Sequence, residues 1–561
     1  MKSTTESQTQ WSKDRNYHHK KRGKILITNL LVAGVIILIC FFFFWQTGLL
    51  VSGLNFFMND HTIVTMHQEV QELGLWPTIK QWVIRDHSMG RFVPLYYTNQ
   101  VLLSQLLGIN GNVWFTFSCL LLSLTAFAMV WFARLLNIPL LIACIFPALA
   151  LLGPQASIWT QPSYTQVTGT FFLAVAMVFA VLLAKTKNNS QALIFNILFV
   201  LSTLCASLIK ESYIICIPAL IALRIWSYSY LNHTSLYESI AKTLKTNIIV
   251  IGILIAELYY IFFVIGSDGM NYAGIDQQTF QLSKIFSTAL DLFNSSHLWI
   301  FPVSFLATII IIIYQKKSIQ GFIKQLLPAV IISLLIMGPQ ILLYTKSGIL
   351  GMLGYYLIPA TIGSAFLITY SIELLRVYSK IIAYIFIGIS IAVITSSIPK
   401  VWTVYSNIAY NNFNINQLFQ EIVQCTPNNE PILFAVNPRV RYEAASVTPK
   451  ILDYVYNRQN LFIATYGLKD TEFFSDTLQE AENYLTYLVP QAVINQYDGR
   501  TITSFDKKQD ISTVVVFDGL DNDFLETSNS WFQLDDYEKT EFPIPLAPAN
   551  LYCKSFTSNL N

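Results

Sequence analysis

The chain has 561 residues, of which 53% are hydrophobic, 14% aromatic and only 12% charged, and its mean hydropathy is +0.48. That is more apolar surface than the core of a water-soluble protein can hide, so the composition describes a polytopic α-helical membrane protein. A net charge of +2 gives no basic signature of nucleic-acid binding, and the sequence contains no P-loop, dinucleotide fingerprint or cysteine-rich metal motif.

Residues 1–24 form a basic tail (Lys13, Arg15, Lys20, Lys21, Arg22 and Lys24) ahead of a first apolar run at 25–50. This run exceeds the roughly 7–15 apolar residues of a secretion signal and lacks a clear small-residue cleavage site. It therefore reads as an uncleaved anchor whose start is cytoplasmic. Further runs of bilayer-crossing length lie near 113–134, 138–153, 165–184, 191–209, 213–230, 247–266, 297–314, 325–344, 352–372 and 381–399, which predicts about eleven spans. Pro94 to Gly108 is a twelfth candidate, short and interrupted by Asn99 and Gln105, and a crossing there would invert every later loop.

Charge decides between the two counts. With Pro94 to Gly108 lying in the interface, the basic tail shares one side with Arg134, Lys185, Lys187, Arg224, Lys242, Lys245, Lys316, Lys317, Lys324, Arg376 and Lys380. The other side keeps only Lys80, Arg85, Arg91, Lys210, Lys284, Lys346 and Lys400, the asymmetry that the positive-inside rule requires. Residues 25–400 are then a transmembrane domain, with 51–112 as its first external loop carrying interfacial helices. Residues 401–561 are extracytoplasmic. From Val401 the composition turns soluble, with short apolar strands such as PILFAV and TVVVFDG, and predicts an α/β domain. Cys425 and Cys553 are the only cysteines in that domain. They either form a disulfide or remain two buried thiols, because sequence spacing does not fix their Cα separation.

Ionisable residues crowd the loop after the first run: Asp60, His61, His67, Glu69, Glu72, Arg85, Asp86, His87 and Arg91. In this topology that loop meets GPQASIWTQPSY (Gly153 to Tyr164), LIKESY (Leu208 to Tyr213) and TKSG (Thr345 to Gly348) on the exported side, which suits a charged, lipid-linked substrate. Asp60 also reads as the N-cap of a helix over HTIVTMHQEV. Glu69 and Glu72 lie on an amphipathic helix with Val64, Val70, Leu73 and Leu75. Glu69, about two and a half turns from Asp60, faces either the same cleft or solvent. His61 and His67 could hold a divalent cation with a carboxylate, although no third ligand follows at metal spacing. Arg91 reads as a phosphate ligand, a headgroup anchor or a partner for Asp86. Lys210 and Glu211 sit in a tight turn between spans, where the pair either touches substrate or neutralises itself. Trp76, Trp82, Trp114, Trp159, Tyr164, Tyr355 and Tyr356 map to an interfacial belt, with Trp159 and Tyr355 also able to stack on a sugar. The polar loop from Gly266 to about Ser296 reads as a flap or a connector.

Four places in order, MNDHT around Asp60, GRFVPLYY (Gly90 to Tyr97), LIKES with Lys210 and Glu211, and GYYLIPA (Gly354 to Ala360), resemble the GT-C glycosyltransferases. These integral membrane enzymes, which include protein mannosyltransferase and aminoarabinose transferase-like members, take a sugar from a polyprenyl-phosphate carrier at the exported face. The resemblance covers roughly residues 25–400. It implies Asp60 as general base and donor phosphate or sugar contacts from Arg91, Lys210, Glu211, Lys346 and Tyr355. His61, Glu69 and Asp86 would support them, and the acceptor would be a glycan, lipid or protein. Two positions depart from the pattern. Gly354-Tyr355-Tyr356 stands where many relatives place an Arg before Tyr-x-x-Pro, so Lys346 or Arg91 is expected to supply that charge. His61 stands where relatives often carry a second acid. Two other classes compete: a flippase of lipid-linked sugars, which should show repeated halves or matched broken spans, and a noncatalytic envelope scaffold, which would not need the acidic loop.

Overall fold

Lipid offers no water to satisfy backbone N–H and C=O groups, so each apolar run must pair them within its own helix. A computed structural model describes residues 27–88, 91–186, 188–265, 281–295, 319–345, 354–426, 430–436, 442–458, 461–465, 493–495, 511–518, 537–545 and 547–554, with Leu306, Ile309 and Ile310. Among the described residues nine helices are long and apolar enough to cross a membrane, or ten if Leu140–Leu151 and Pro154–Thr160, bent by 77°, count as one span. The expected span at 297–314 lies almost wholly outside the described residues, as do the basic tail and most of the loop after Gly266.

In chain order the helices are α1 (Ile27–Gln46), α2 (His61–Leu73), α3 (Leu75–Ser88), α4 (Pro94–Leu107), α5 (Gly111–Leu135), α6 (Leu140–Leu151), α7 (Thr165–Lys185), α8 (Asn189–Ile209), α9 (Glu211–Asn232), α10 (Leu236–Val264), α11 (Leu282–Ser295), α12 (Ile319–Tyr344), α13 (Ala360–Tyr378), α14 (Lys380–Cys425) and α15 (Tyr442–Tyr456). α7 packs between α5, α8 and α9, while α13 is enclosed by α6, α12 and α14. The stretch proposed as a twelfth crossing is α4, whose 14 residues reach about 21 Å, short of the ~30 Å hydrocarbon layer. It packs on α2, α3 and the end of α8 instead. A cavity of about 690 Å³ runs along α1 from Thr28 to Phe44 against α5, α6 and α14, walled by apolar side chains such as Ile36, Ala126, Leu151 and Val401.

α14 has 46 residues, about 69 Å of helix, and passes the compositional boundary at 400 without a break. Its far end belongs to the α/β domain. There a six-stranded sheet is ordered β3-β2-β1-β4-β6-β5, with β1 (Ile432–Val436), β2 (Leu461–Thr465), β3 (Val493–Asn495) and β4 (Thr513–Phe517) parallel. β5 (Tyr537–Phe542) and β6 (Ala549–Lys554) are antiparallel. β1 and β4 are buried along their whole length, as continuous apolar runs in a covered parallel sheet should be. Cys425 and Cys553 are disulfide-bonded with Cα atoms 5.5 Å apart, tying the end of α14 to β6 across 128 residues of chain.

The α/β domain does not own its core alone. Leu54, Phe56, Phe57, Ile63 and Val64, from the loop after α1 and the start of α2, pack with Ile415, Leu418, Phe419 and Ile422 of α14 and with Phe434, Val515 and Phe517 of the sheet. Phe419 meets Phe56 edge-on at 5.5 Å and Phe57 at 6.1 Å. Trp82, Trp114 and Trp159, expected in an interfacial belt, are buried in protein instead. Trp114 donates its indole N–H to Gly108 O at 2.8 Å. Trp76, by contrast, is exposed.

Phe419→Ala removes the ring around which loop, helix and sheet meet, and should cost about 3–5 kcal/mol. The expected result is earlier thermal unfolding and faster proteolysis within residues 51–60 than for Tyr410→Ala, which lies on an exposed face of the same helix.

Candidate functional site

Asp60 lies immediately before α2 with helical backbone angles (φ −71, ψ −15), and its side chain makes no capping bond to that helix. The capping role is therefore not the one it fills. The carboxylate turns back into the protein, where Oδ2 accepts the Asn55 backbone N–H at 3.1 Å and Oδ1 accepts the Ser163 hydroxyl at 2.7 Å. It is fully buried. Burial disfavours the charged form more than these donors and the Ser163 backbone N–H favour it, so its pKa is pushed up to about 6. That shift corresponds to about 3 kcal/mol. A carboxylate so placed is ionised at neutral pH yet takes up a proton readily, which is what a general base requires.

Ser163 connects Asp60 to a second group of charges. Its carbonyl accepts the Tyr96 hydroxyl at 2.6 Å, and Tyr96 is near the start of α4. Next to it, Tyr97 donates to Asp86 Oδ1 at 3.2 Å. Arg91 lies between two acids, its Nε 4.0 Å from Asp86 Oδ1 and 4.0 Å from Glu211 Oε1. Glu211 also accepts the Phe92 backbone N–H at 3.1 Å, which pins the chain entering α4 to the start of α9. Lys210 is buried, and its ammonium sits 5.0 Å over the Tyr356 ring. Desolvation, with the Arg91 charge adding to it, lowers the Lys210 pKa to about 7, against the opposing pull of Glu211. Asp86 is raised to about 6 by burial, against the pull of Arg91.

Arg91, Lys210, Glu211 and Asp86 thus gather as the sequence predicts, and Asp60 is joined to them through Ser163 and Tyr96. Other expected members do not join. Glu69 is held by the Trp82 indole at 2.5 Å, and its charged neighbours are Lys450, Arg85 and Glu72. It belongs to the contact between α2 and α15, because the helix turns its carboxylate away from Asp60. His61 Nδ1 lies 2.5 Å from Met58 O, and burial holds the ring neutral with a pKa near 4. His67 Nδ1 lies 2.8 Å from Ser104 O. The two rings are committed to separate backbone carbonyls, and no three His, Cys, Asp or Glu groups gather at metal distance among the described residues. Lys346 lies outside the described residues, as does the Tyr355 side chain. The aromatic ring that meets Lys210 is Tyr356.

Sequence reasoning missed Ser163, Tyr96 and Asn55. Ser163 lies within the polar stretch GPQASIWTQPSY, which was a signal for the segment but not for the residue. Both side-chain amide atoms of Asn55 and Oε1 of Gln161 are buried without a hydrogen-bond partner among the described residues. Trp159, considered as a sugar platform, is fully buried and lines the apolar cavity along α1.

Neither a protein-family model nor a curated protein matches the chain. Crystal structures of ArnT from Cupriavidus metallidurans, one bound to undecaprenyl phosphate and one in the apo state, are similar in overall form. Their TM-scores are 0.46 and 0.47 at 12% and 13% identity, with 94% and 95% of this chain covering 97% and 98% of theirs.

Ser163→Ala removes a charge-assisted hydroxyl donor and leaves Asp60 with the backbone N–H groups of Asn55 and residue 163. The carboxylate pKa should climb above about 6 by roughly one further unit. An infrared titration of the full-length protein in detergent, with the Asp60 band assigned by subtraction of Asp60→Asn, reads that shift directly.

Proposed function

We propose that the chain is a glycosyltransferase that moves a sugar from a polyprenyl-phosphate carrier to an acceptor hydroxyl on the exported side of the membrane. The observation that carries this reading is the linkage of a buried, readily protonated Asp60 to the Arg91–Lys210–Glu211 cluster at the end of the helix bundle. Transfer of this kind needs a base for the acceptor hydroxyl and positive charge for the departing phosphate. Asp60 supplies the first. Lys210 supplies the second, beside an Arg91 that Asp86 and Glu211 offset. The order of sequence features shared with the GT-C enzymes points to the same chemistry.

Orientation follows from two independent features. Lysine and arginine concentrate in the loops opposite the site, and a disulfide in the α/β domain suits an oxidising compartment. Both support a site and a C-terminal domain, residues 401–561, that lie outside the cytoplasm.

The cationic cluster is balanced for an incoming anion. Asp86 and Glu211 already offset Arg91, so the charge available to a phosphate resides on Lys210, whose protonation is near its midpoint at neutral pH. A bound phosphate favours the ammonium form, so the lysine takes up a proton as the donor binds and the site becomes most cationic when it is filled. Asp60 is connected toward this cluster through Ser163 and Tyr96.

Asp60→Asn keeps the side-chain shape and one of the two acceptor oxygens but removes the base, and should lower transfer from radiolabelled polyprenyl-phosphate sugars by about 100-fold or more. Unchanged transfer by a normally inserted variant would refute the assignment. For Lys210, calorimetry with undecaprenyl phosphate at pH 8 in buffers of different ionisation enthalpy should show proton uptake by the wild type and none by Lys210→Met.

A further inference from the structure

The long helix α14 reaches the candidate base through one peptide group. Asn416, on its far half, donates from Nδ2 to Leu54 O at 3.0 Å and to its own helix at Asn412 O at 2.7 Å. One turn earlier, Asn412 donates from Nδ2 to Gly53 O and to Ser52 Oγ, each at 3.2 Å. The Leu54 carbonyl and the Asn55 N–H belong to the same planar trans peptide, so they point in opposite directions and turn as one body. Asn416 grips one end of that plane. At the other end, the Asn55 N–H meets Asp60 Oδ2 at 3.1 Å.

The approach is close on both sides. Gly53 has φ +79, and a Cβ there would lie 2.5 Å from Asn416 Nδ2. On the opposite side, a Cβ on Gly111 of α5 would lie 2.7 Å from Gly53 C and Leu54 N. Two glycines therefore let α14 and α5 clamp the strand of chain between them, where neither side tolerates a side chain. The peptide has little freedom to rotate unless Asn416 lets go.

We infer that Asn416, assisted by Asn412, is a positioning residue for Asp60: it fixes the Leu54–Asn55 peptide plane so that its N–H is aimed at the carboxylate. The inference rests on the catalytic reading of Asp60 for its consequence but not for its geometry. The groups facing Asp60 from the surrounding elements are few. Tyr96 of α4 approaches through Ser163, and His61 follows Asp60 in the chain. Lys450 of α15 exerts its field on His61. No ion pair involves Asp60 among the described residues. Its hydrogen bonds from Asn55 and Ser163 are therefore what opposes burial, and a loosened peptide plane shifts the ionisation in one direction only: the carboxylate loses a donor and holds its proton to higher pH.

The test uses the full chain and needs no substrate for its first readout. Infrared titration of the Asp60 carboxyl, assigned against Asp60→Asn, should move up by about half to one pH unit in Asn416→Ala. Asn416→Leu, which keeps the side-chain volume and removes only the amide, should move it by a similar amount. Asn414→Ala, whose amide bonds only within its own helix at Tyr410 O, should not. In transfer assays with a radiolabelled polyprenyl-phosphate sugar, the acid limb of the pH profile should shift by the same amount and the rate should return to the wild-type level above it. An unmoved midpoint in a folded Asn416→Leu protein, or a uniform loss of rate at every pH, overturns the inference. If the midpoint moves while Asp60→Asn retains full transfer, the positioning stands and the catalytic reading of Asp60 falls.

Discussion

A carboxylate cut off from water is the constraint around which this end of the molecule is organised. Asp60 is fully buried, and an ionised acid in that setting persists only if the surrounding protein supplies hydrogen bonds in place of solvent. They come from the Asn55 peptide, five residues earlier in the same loop, and from Ser163, 103 residues further along the chain. Each donor must itself be held. Ser163 is held through its carbonyl by Tyr96, and the Asn55 peptide by Asn416. The site is thus a set of supports converging on one side chain.

The same constraint accounts for the merging of the α/β domain with the membrane bundle. Residues 54–64 are too short a stretch to form a core of their own, and they bury their aromatic and aliphatic side chains against α14 and the sheet. A 46-residue helix is stiff enough to carry that contact from the bilayer to the disulfide at Cys425 without a hinge, apart from the local break that Pro399 makes in its hydrogen bonding. The loop that leads to Asp60 is thereby packed against both, with Phe56 on Phe419 of the helix and Phe57 on Phe517 of the sheet.

Electrostatics in the neighbouring cluster follow a different logic. Asp86, Arg91, Lys210 and Glu211 are close enough to compensate one another, yet burial still shifts Asp86 up and Lys210 down. Desolvation therefore outweighs pairing for both, and each is less fully ionised than its residue type suggests.

The sequence by itself determined what depends on local composition and periodicity. Apolar runs set the helices, since lipid permits no other pairing of the backbone, and the α/β domain appeared in strands such as PILFAV. Asp60, Asp86, Arg91, Lys210 and Glu211 stood out because charge next to hydrocarbon is costly and therefore conspicuous. Tertiary structure alone decided which of these residues meet. The Ser163 bond to Asp60 spans 103 positions and the Asn416 bond to Leu54 spans 362, and neither leaves a local pattern, because serine and asparagine are as common in ordinary loops and helix faces as in a site. Glu69 shows the converse: its helical spacing allowed it into the cleft, but the rotation of α2, set by the burial of Ile63, Val64 and Met66, turned it toward Trp82. Rotation and long-range partners are fixed by packing volume and hydrogen-bond direction, which exist only once the chain has folded.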